Sequence, residues 1–230
     1  MVCLLVLLAT QAADFPEAEF FRTSAPALSK MIVGSSPLLE SRRMTVGVEA
    51  NLCRFRLLPN PVMNSMPLFS AYYCYAFHND FGSYVFLRGG VYPQNGYTLN
   101  SPAVFSAGFG ISPNPVKPLS ARLAYGTLGK VQFYPGDPYD NYVISQLHSL
   151  NLDVSASHAL WRLTGQAAVG GSLTLVTGEY RKDIGGIDQP YSSVAPGWWA
   201  DAALKFWWFK LSGGVANGVL SAGLGLQLGL

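Results

Sequence analysis

The chain has three histidines, and two of them stand close to hydroxyls in sequence. His148 precedes Ser149, and His158 follows Ser155 and Ser157. A histidine within reach of a serine is the minimum for a base-activated nucleophile. These are therefore the residues on which a hydrolase would rest. No supporting motif accompanies them: there is no G-x-S-x-G, no phosphate-binding glycine loop and no Cys/His set with metal-ligand spacing. His78-Asn79-Asp80 reads as turn chemistry. The sequence thus assigns no catalytic residue, no metal site and no cofactor.

A second chemical set consists of charges. Glu49, Arg88, Arg122, Asp153, Asp201 and Lys205 each fall on the polar register of an alternating stretch. Acids and bases are balanced, which predicts a network of structural ion pairs. The alternative is a selective constriction lining a channel.

The stretches that position these charges share one pattern, clearest in the last dozen residues. Leu220, Ala222, Leu224, Leu226, Leu228 and Leu230 alternate with Ser221, Gly223, Gly225, Gln227 and Gly229. A period of two means a strand with one greasy face and one small or polar face. No charged side chain follows Lys210. Leucines facing lipid and glycines facing a lumen account for such a strand, and Leu220, Leu224, Leu226 and Leu228 are expected to face lipid. This strand, with Gly223 followed by Leu224, Leu226, Leu228 and Leu230, resembles the C-terminal assembly signal of bacterial outer-membrane β-barrels. The resemblance extends from Met44 to the end of the chain and is to the class rather than to one family. It implies the outer membrane of a Gram-negative bacterium, a bilayer and its outer-membrane lipids as surroundings, and the barrel-assembly machinery as a partner.

Composition supports the same class. Half the chain is hydrophobic, only 12% is charged and the mean hydropathy is +0.23, against about 25% charge in ordinary soluble domains. Yet no window offers the ~18 consecutive apolar residues of a spanning helix. Twenty-four glycines and fifteen prolines would break helices repeatedly. A net charge of +2 predicts no nucleic-acid partner.

Taken in order, residues 1–13 read as a signal peptide, an apolar run ending in Ala9-Thr10-Gln11-Ala12-Ala13. Residues 14–43 show no clear period and are expected to be an irregular segment, either a loose leader or a plug in the barrel mouth. Residues 44–230 form the barrel. Met44, Val46, Val48 and Ala50 alternate with Thr45, Gly47, Glu49 and Asn51, and Ala103 to Ser112 alternates as cleanly. Asn217-Gly218 marks a tight hairpin. The fold class is all-β: a transmembrane antiparallel up-and-down β-barrel of about ten strands, with eight or twelve as the alternatives.

Loop lengths give the barrel two ends. The connections after the first, third, fifth and seventh strands (59–67, 93–101, 128–141 and 182–197) exceed those at 79–82, 113–118, 159–164 and near Trp208. Long loops outside and short turns in the periplasm are characteristic of outer-membrane barrels. Trp198-Trp199 and Phe206-Trp207-Trp208-Phe209 lie about eight residues apart on one strand, or roughly 20 Å along the membrane normal, the spacing of two aromatic girdles. Cys53 and Cys74 fall opposite one another if the first hairpin bends near Met63, which would permit a disulfide in an oxidising compartment. The expected function is structural or surface-binding, carried by the outer loops. A narrow porin for small solutes and a membrane-embedded hydrolase are the alternatives.

Overall fold

The computed structural model describes residues 16–35, 43–56, 63–94, 100–112, 119–133, 142–181 and 189–230. The expected signal peptide therefore lies outside the described residues, as do most of the longer loops.

Ten antiparallel strands close on themselves: β1 (Met44–Arg56), β2 (Met63–Ala76), β3 (Ser83–Val91), β4 (Ala103–Ile111), β5 (Leu119–Phe133), β6 (Tyr142–Leu160), β7 (Leu163–Arg181), β8 (Gln189–Phe206), β9 (Phe209–Ala216) and β10 (Val219–Gly229). Each pairs with its chain neighbour, and β1 pairs with β10 from Thr45↔Gly229 to Cys53↔Ser221. Closure leaves no open sheet edge at membrane depth, which is the condition for strands to cross lipid.

The wall obeys the alternation of the sequence. Large apolar side chains stand outward on every strand and are about half exposed, from Val48 on β1 through Leu123 on β5 and Val169 on β7 to Leu224 on β10. The leucines of β10, namely Leu220, Leu224, Leu226 and Leu228, all face outward. Their alternates point in, among them buried Glu49, Arg88, Arg122 and Asp153. No described helix is long and apolar enough to cross a membrane.

The wall is uneven in height. β3, β4 and β9 have 9, 9 and 8 residues, whereas β6 and β7 have 19 each. Nineteen tilted residues rise roughly 45–50 Å, against an apolar band of ~25 Å. The two-residue turns Trp161-Arg162 and Trp207-Trp208 align the strands at the end that also holds Met44 and Leu230. The excess length of β5–β8 therefore projects from the opposite end as a four-stranded wall. This corrects the reading of residues 182–197 as one long loop, since β8 already begins at Gln189. Pro190 and Pro196 made that stretch look irregular. They lie above Trp199, where pairing with β9 ends, so among the described residues this part of β8 is hydrogen-bonded in the sheet to β7 alone. Proline is tolerated on such an edge because no ladder bond is lost.

Residues 14–43 hold a second correction. The segment contains a helix, α1 (Pro16–Val33), instead of being irregular throughout. Residues 24–33 are buried without exception. These buried turns carry Ser24, Ser29 and Lys30 as well as apolar residues, so no solvent-facing polar stripe marks them in sequence. The helix occupies the barrel interior. Pro26 lies against Gly197 of β8, and Ile32 and Val33 lie against Gly126 of β5, where a methyl group would come within 2.7 Å of Ile32. Small inward residues thus make room for the side chains of α1. The helix runs from the tall end toward the end that carries both strand termini. It stops at Gly34, whose φ of 74° places it in the left-handed region and whose N–H bonds back to the Lys30 carbonyl at 2.8 Å. That is the C-terminal cap glycine performs without strain.

Candidate functional site

Because α1 ends in mid-lumen, its last turn meets the inward charges of the wall. Arg122 of β5 donates from Nε to Asp153 Oδ2 of β6 at 2.7 Å and from Nη2 to the Gly34 carbonyl at 3.0 Å. Lys30 pairs with Asp201 of β8 and donates to the same Gly34 carbonyl at 3.1 Å. Its ammonium also lies 3.6 Å from the centre of the Trp199 ring. On the other side, Glu49 of β1 accepts from Lys210 of β9 at 2.8 Å and from Arg88 of β3 at 2.9 Å. Lys210 reaches on to Ser35 Oγ at 2.7 Å.

Seen as a charge balance, Lys30, Arg88, Arg122, Lys205 and Lys210 face Glu49, Asp153 and Asp201 among the described residues. The cations are in excess. The carbonyl end of a helix carries about half a negative charge, and here it points into that excess. Electrostatics and hydrogen bonding therefore fix the depth at which α1 sits. Two further bonds add to this: Ser29 Oγ to Asn151 Oδ1 at 3.0 Å and Ser106 Oγ to the Ile32 carbonyl at 3.1 Å. Along β7 and β8 the hold is different. Ser172 Oγ, Thr174 Oγ1 and Trp199 Nε1 are buried and make no hydrogen bond among the described residues, leaving Lys30 and apolar contact on that side.

Of the six charges picked out from sequence, the structure brings Glu49 to Arg88 and Arg122 to Asp153. Asp201 meets Lys30 instead of a wall cation, and Lys205 lies opposite Lys210 across the β8–β9 ladder. Sequence reasoning missed Lys30, Gly34, Ser35 and Lys210. Lys210 shares the inward register of Ser212 and Gly214, which alternation alone exposes. Lys30, followed by Met31-Ile32-Val33 and then Gly34, is a basic last turn before a capping glycine, which is a helix-stop signal.

Three site expectations change. Trp199 is buried and inward, so it belongs to the lumen and not to a girdle. Neighbouring strand residues face opposite ways, and Trp198-Trp199 cannot both face lipid. Trp198, Phe206, Trp207, Trp208 and Phe209 are exposed. The cysteines are also not opposite one another. Cys53 pairs with Met66 and Cys74 with Thr45, because the β1–β2 register puts Met63 opposite Arg56 instead of at the bend. Both thiols are buried, and no disulfide joins them. Alkylation of the denatured, unreduced protein should therefore modify Cys53 and Cys74 alike. A mass lacking both adducts would mean that they are bonded.

The histidine–serine pairs separate in the same way. His148 faces outward and shares a 2.7 Å hydrogen bond with Tyr125 Oη, while Ser149 faces inward and donates to the Gly126 carbonyl. His158 is exposed on the outer face, whereas Ser155 is buried on the inner one. Neither pair can act as nucleophile and base. No group of three or more His, Cys, Asp or Glu that could hold a metal occurs among the described residues.

No protein-family model and no curated protein matches the chain. Solved structures do. The translocator domain of the autotransporter NalP from Neisseria meningitidis is similar at 9% identity, over 92% of this chain and 95% of that one, with a TM-score of 0.49. Neisserial surface protein A is similar at 13% identity over 81% and 97%, with a TM-score of 0.37. The attachment invasion locus protein Ail of Yersinia pestis is similar at 11% identity over 80% and 94%, with a TM-score of 0.34. These neighbours are bacterial outer-membrane β-barrels. The strand topology itself defines the class, a closed ten-strand antiparallel barrel with a helix inside it.

Proposed function

We propose that this protein is an integral outer-membrane barrel of a Gram-negative bacterium, sealed by its own helix and working through its outer end. The observation that carries this reading is the filled lumen: α1 is buried from Ser24 to Val33 and its carbonyl end is bonded to Arg122 and Lys30. An open porin requires that space for water. The surface left to act is the tall wall of β5–β8 and the loops above it, a structural or surface-binding role. The exposed leucines of β10 are the surface that barrel-assembly machinery would receive.

Single-channel recording in planar bilayers tests the proposal. The full chain should stay closed, and a variant lacking residues 16–35 should conduct. Steady conductance by the full chain would replace this reading with a narrow porin. Silence of a correctly folded deletion variant would mean that the wall side chains alone close the lumen.

A further inference from the structure

At the end opposite the tall wall, two neighbouring hairpins turn on tryptophans. Trp161 and Trp207 each have a φ of 56°, a left-handed conformation that bulky side chains rarely adopt. Asn217-Gly218 makes a similarly tight turn with residues suited to it. Strain of this kind persists where the surroundings hold it, and it gathers at functional positions. The hairpins touch through the Trp207 N–H and the Arg162 carbonyl, 3.3 Å apart.

The strained turns place one cation between two indoles. The Arg162 guanidinium carbon is 4.8 Å from the centre of the Trp161 ring and 4.8 Å from that of Trp207. Phe206 continues the stack behind Trp207, with ring centres 5.4 Å apart and planes 14° from parallel. Aromatic faces hold a guanidinium by cation–π attraction and leave its in-plane N–H groups pointing outward. No carboxylate or hydrogen-bond acceptor takes those N–H groups among the described residues. Arg162 itself is exposed. Immediately beside it the apolar band begins, with Leu163, Phe206 and Phe209 exposed on the lipid face.

We propose that Arg162, clamped by Trp161 and Trp207, binds the phosphate of a phospholipid headgroup in the leaflet at this end of the barrel. A planar fork of N–H donors matches two phosphate oxygens. The adjoining leucine and phenylalanine surface takes the acyl chains of the same molecule. The positive charge, the donor geometry and the continuity with the apolar band all fit an amphiphilic anion, whereas a free phosphate would use only the first two. The inference rests on the membrane-spanning reading of the barrel.

Native mass spectrometry of the full chain, released from a non-ionic detergent, tests it. Phosphatidylglycerol, phosphatidylethanolamine, a diacylglycerol without phosphate, and inorganic phosphate serve as probes. The wild type should retain either phospholipid roughly tenfold better than Arg162→Gln, the loss expected for a charge-assisted contact. Arg162→Lys should fall between them, because it keeps the charge and loses the fork. Equal retention by Arg162→Gln, or diacylglycerol bound as well as phospholipid, overturns the proposal. Displacement of lipid by inorganic phosphate at equal concentration would overturn it in favour of a free-anion site. Flotation with liposomes, run on wild type and variant, keeps the two readings apart. Failure to insert removes the membrane reading, whereas insertion without phosphate selectivity removes only the headgroup site.

Discussion

Glu49→Ala should be among the most damaging single changes in the barrel, costing about 3–5 kcal/mol of stability. Glu49 accepts from Lys210, from Arg88 and, at 3.4 Å, from Asn51 Nδ2. All three charged side chains are at least 96% buried. Removing the carboxylate leaves Arg88 and Lys210 inside the wall with no other paired anion among the described residues, and such a charge is far more expensive than the pair it came from. Glu49→Gln keeps the shape and loses the charge, so it should move in the same direction. Urea unfolding of the reconstituted protein, followed by tryptophan fluorescence, measures the difference. A loss below about 1 kcal/mol, the range of solvent-exposed pairs, would show that water reaches the network and that the lumen is wet.

On the outer face the corresponding experiment is Leu224→Arg. Leu224 lies at the centre of β10, paired with Ala50 of β1 and Leu211 of β9, and is more than half exposed. A charge on the lipid side near the bilayer midplane costs about 2–4 kcal/mol in a transmembrane barrel. Reduced insertion into liposomes and a lower unfolding midpoint should both appear. Wild-type insertion and stability would mean that this surface does not meet lipid. The two variants probe opposite faces of one wall, so their costs should add within about 0.5 kcal/mol if the faces are independent.

How much of this was legible in the sequence depends on how far each feature obeys a local period. The wall was readable because a strand with lipid on one side and a lumen on the other must alternate, and Val46, Val48 and Ala50 or Leu224, Leu226 and Leu228 do so plainly. The plug was not. Ala25, Leu28, Met31 and Ile32 are buried, and so are Ser24, Ser29 and Lys30, so residues 24–33 leave no solvent-facing stripe to reveal a helical repeat. The upper part of β8 was hidden for another reason. Pro190 and Pro196 are turn signals locally, and they are acceptable in a strand because pairing with β9 ends at Trp199. The cysteine pairing shows a third limit. Parity correctly put Cys53 and Cys74 on the inner face, yet a bend at Met63 discounts the turn signal of Pro59-Asn60-Pro61, and the observed register, with Arg56 opposite Met63, differs accordingly. The charge network was half visible, since wall residues are found by alternation but Lys30 comes from a different kind of element.

The carboxylate of Glu49 also occupies a singular place in the topology. It stands on β1, and its partner Lys210 stands on β9, with β10 between them. The bond therefore crosses the one ladder that joins opposite ends of the chain, the ladder bordered by the Met44–Leu230 backbone bonds. Every other strand pair forms between neighbours in sequence, while this one must await a ring closure spanning nearly the whole polypeptide, the contact with the greatest search cost. Since Lys210 also grips Ser35 just beyond α1, the clasp that shuts the cylinder is fastened to the stopper inside it. Closure and plugging are thereby coupled: a cylinder with the helix in place holds the Ser35 contact that an empty one lacks.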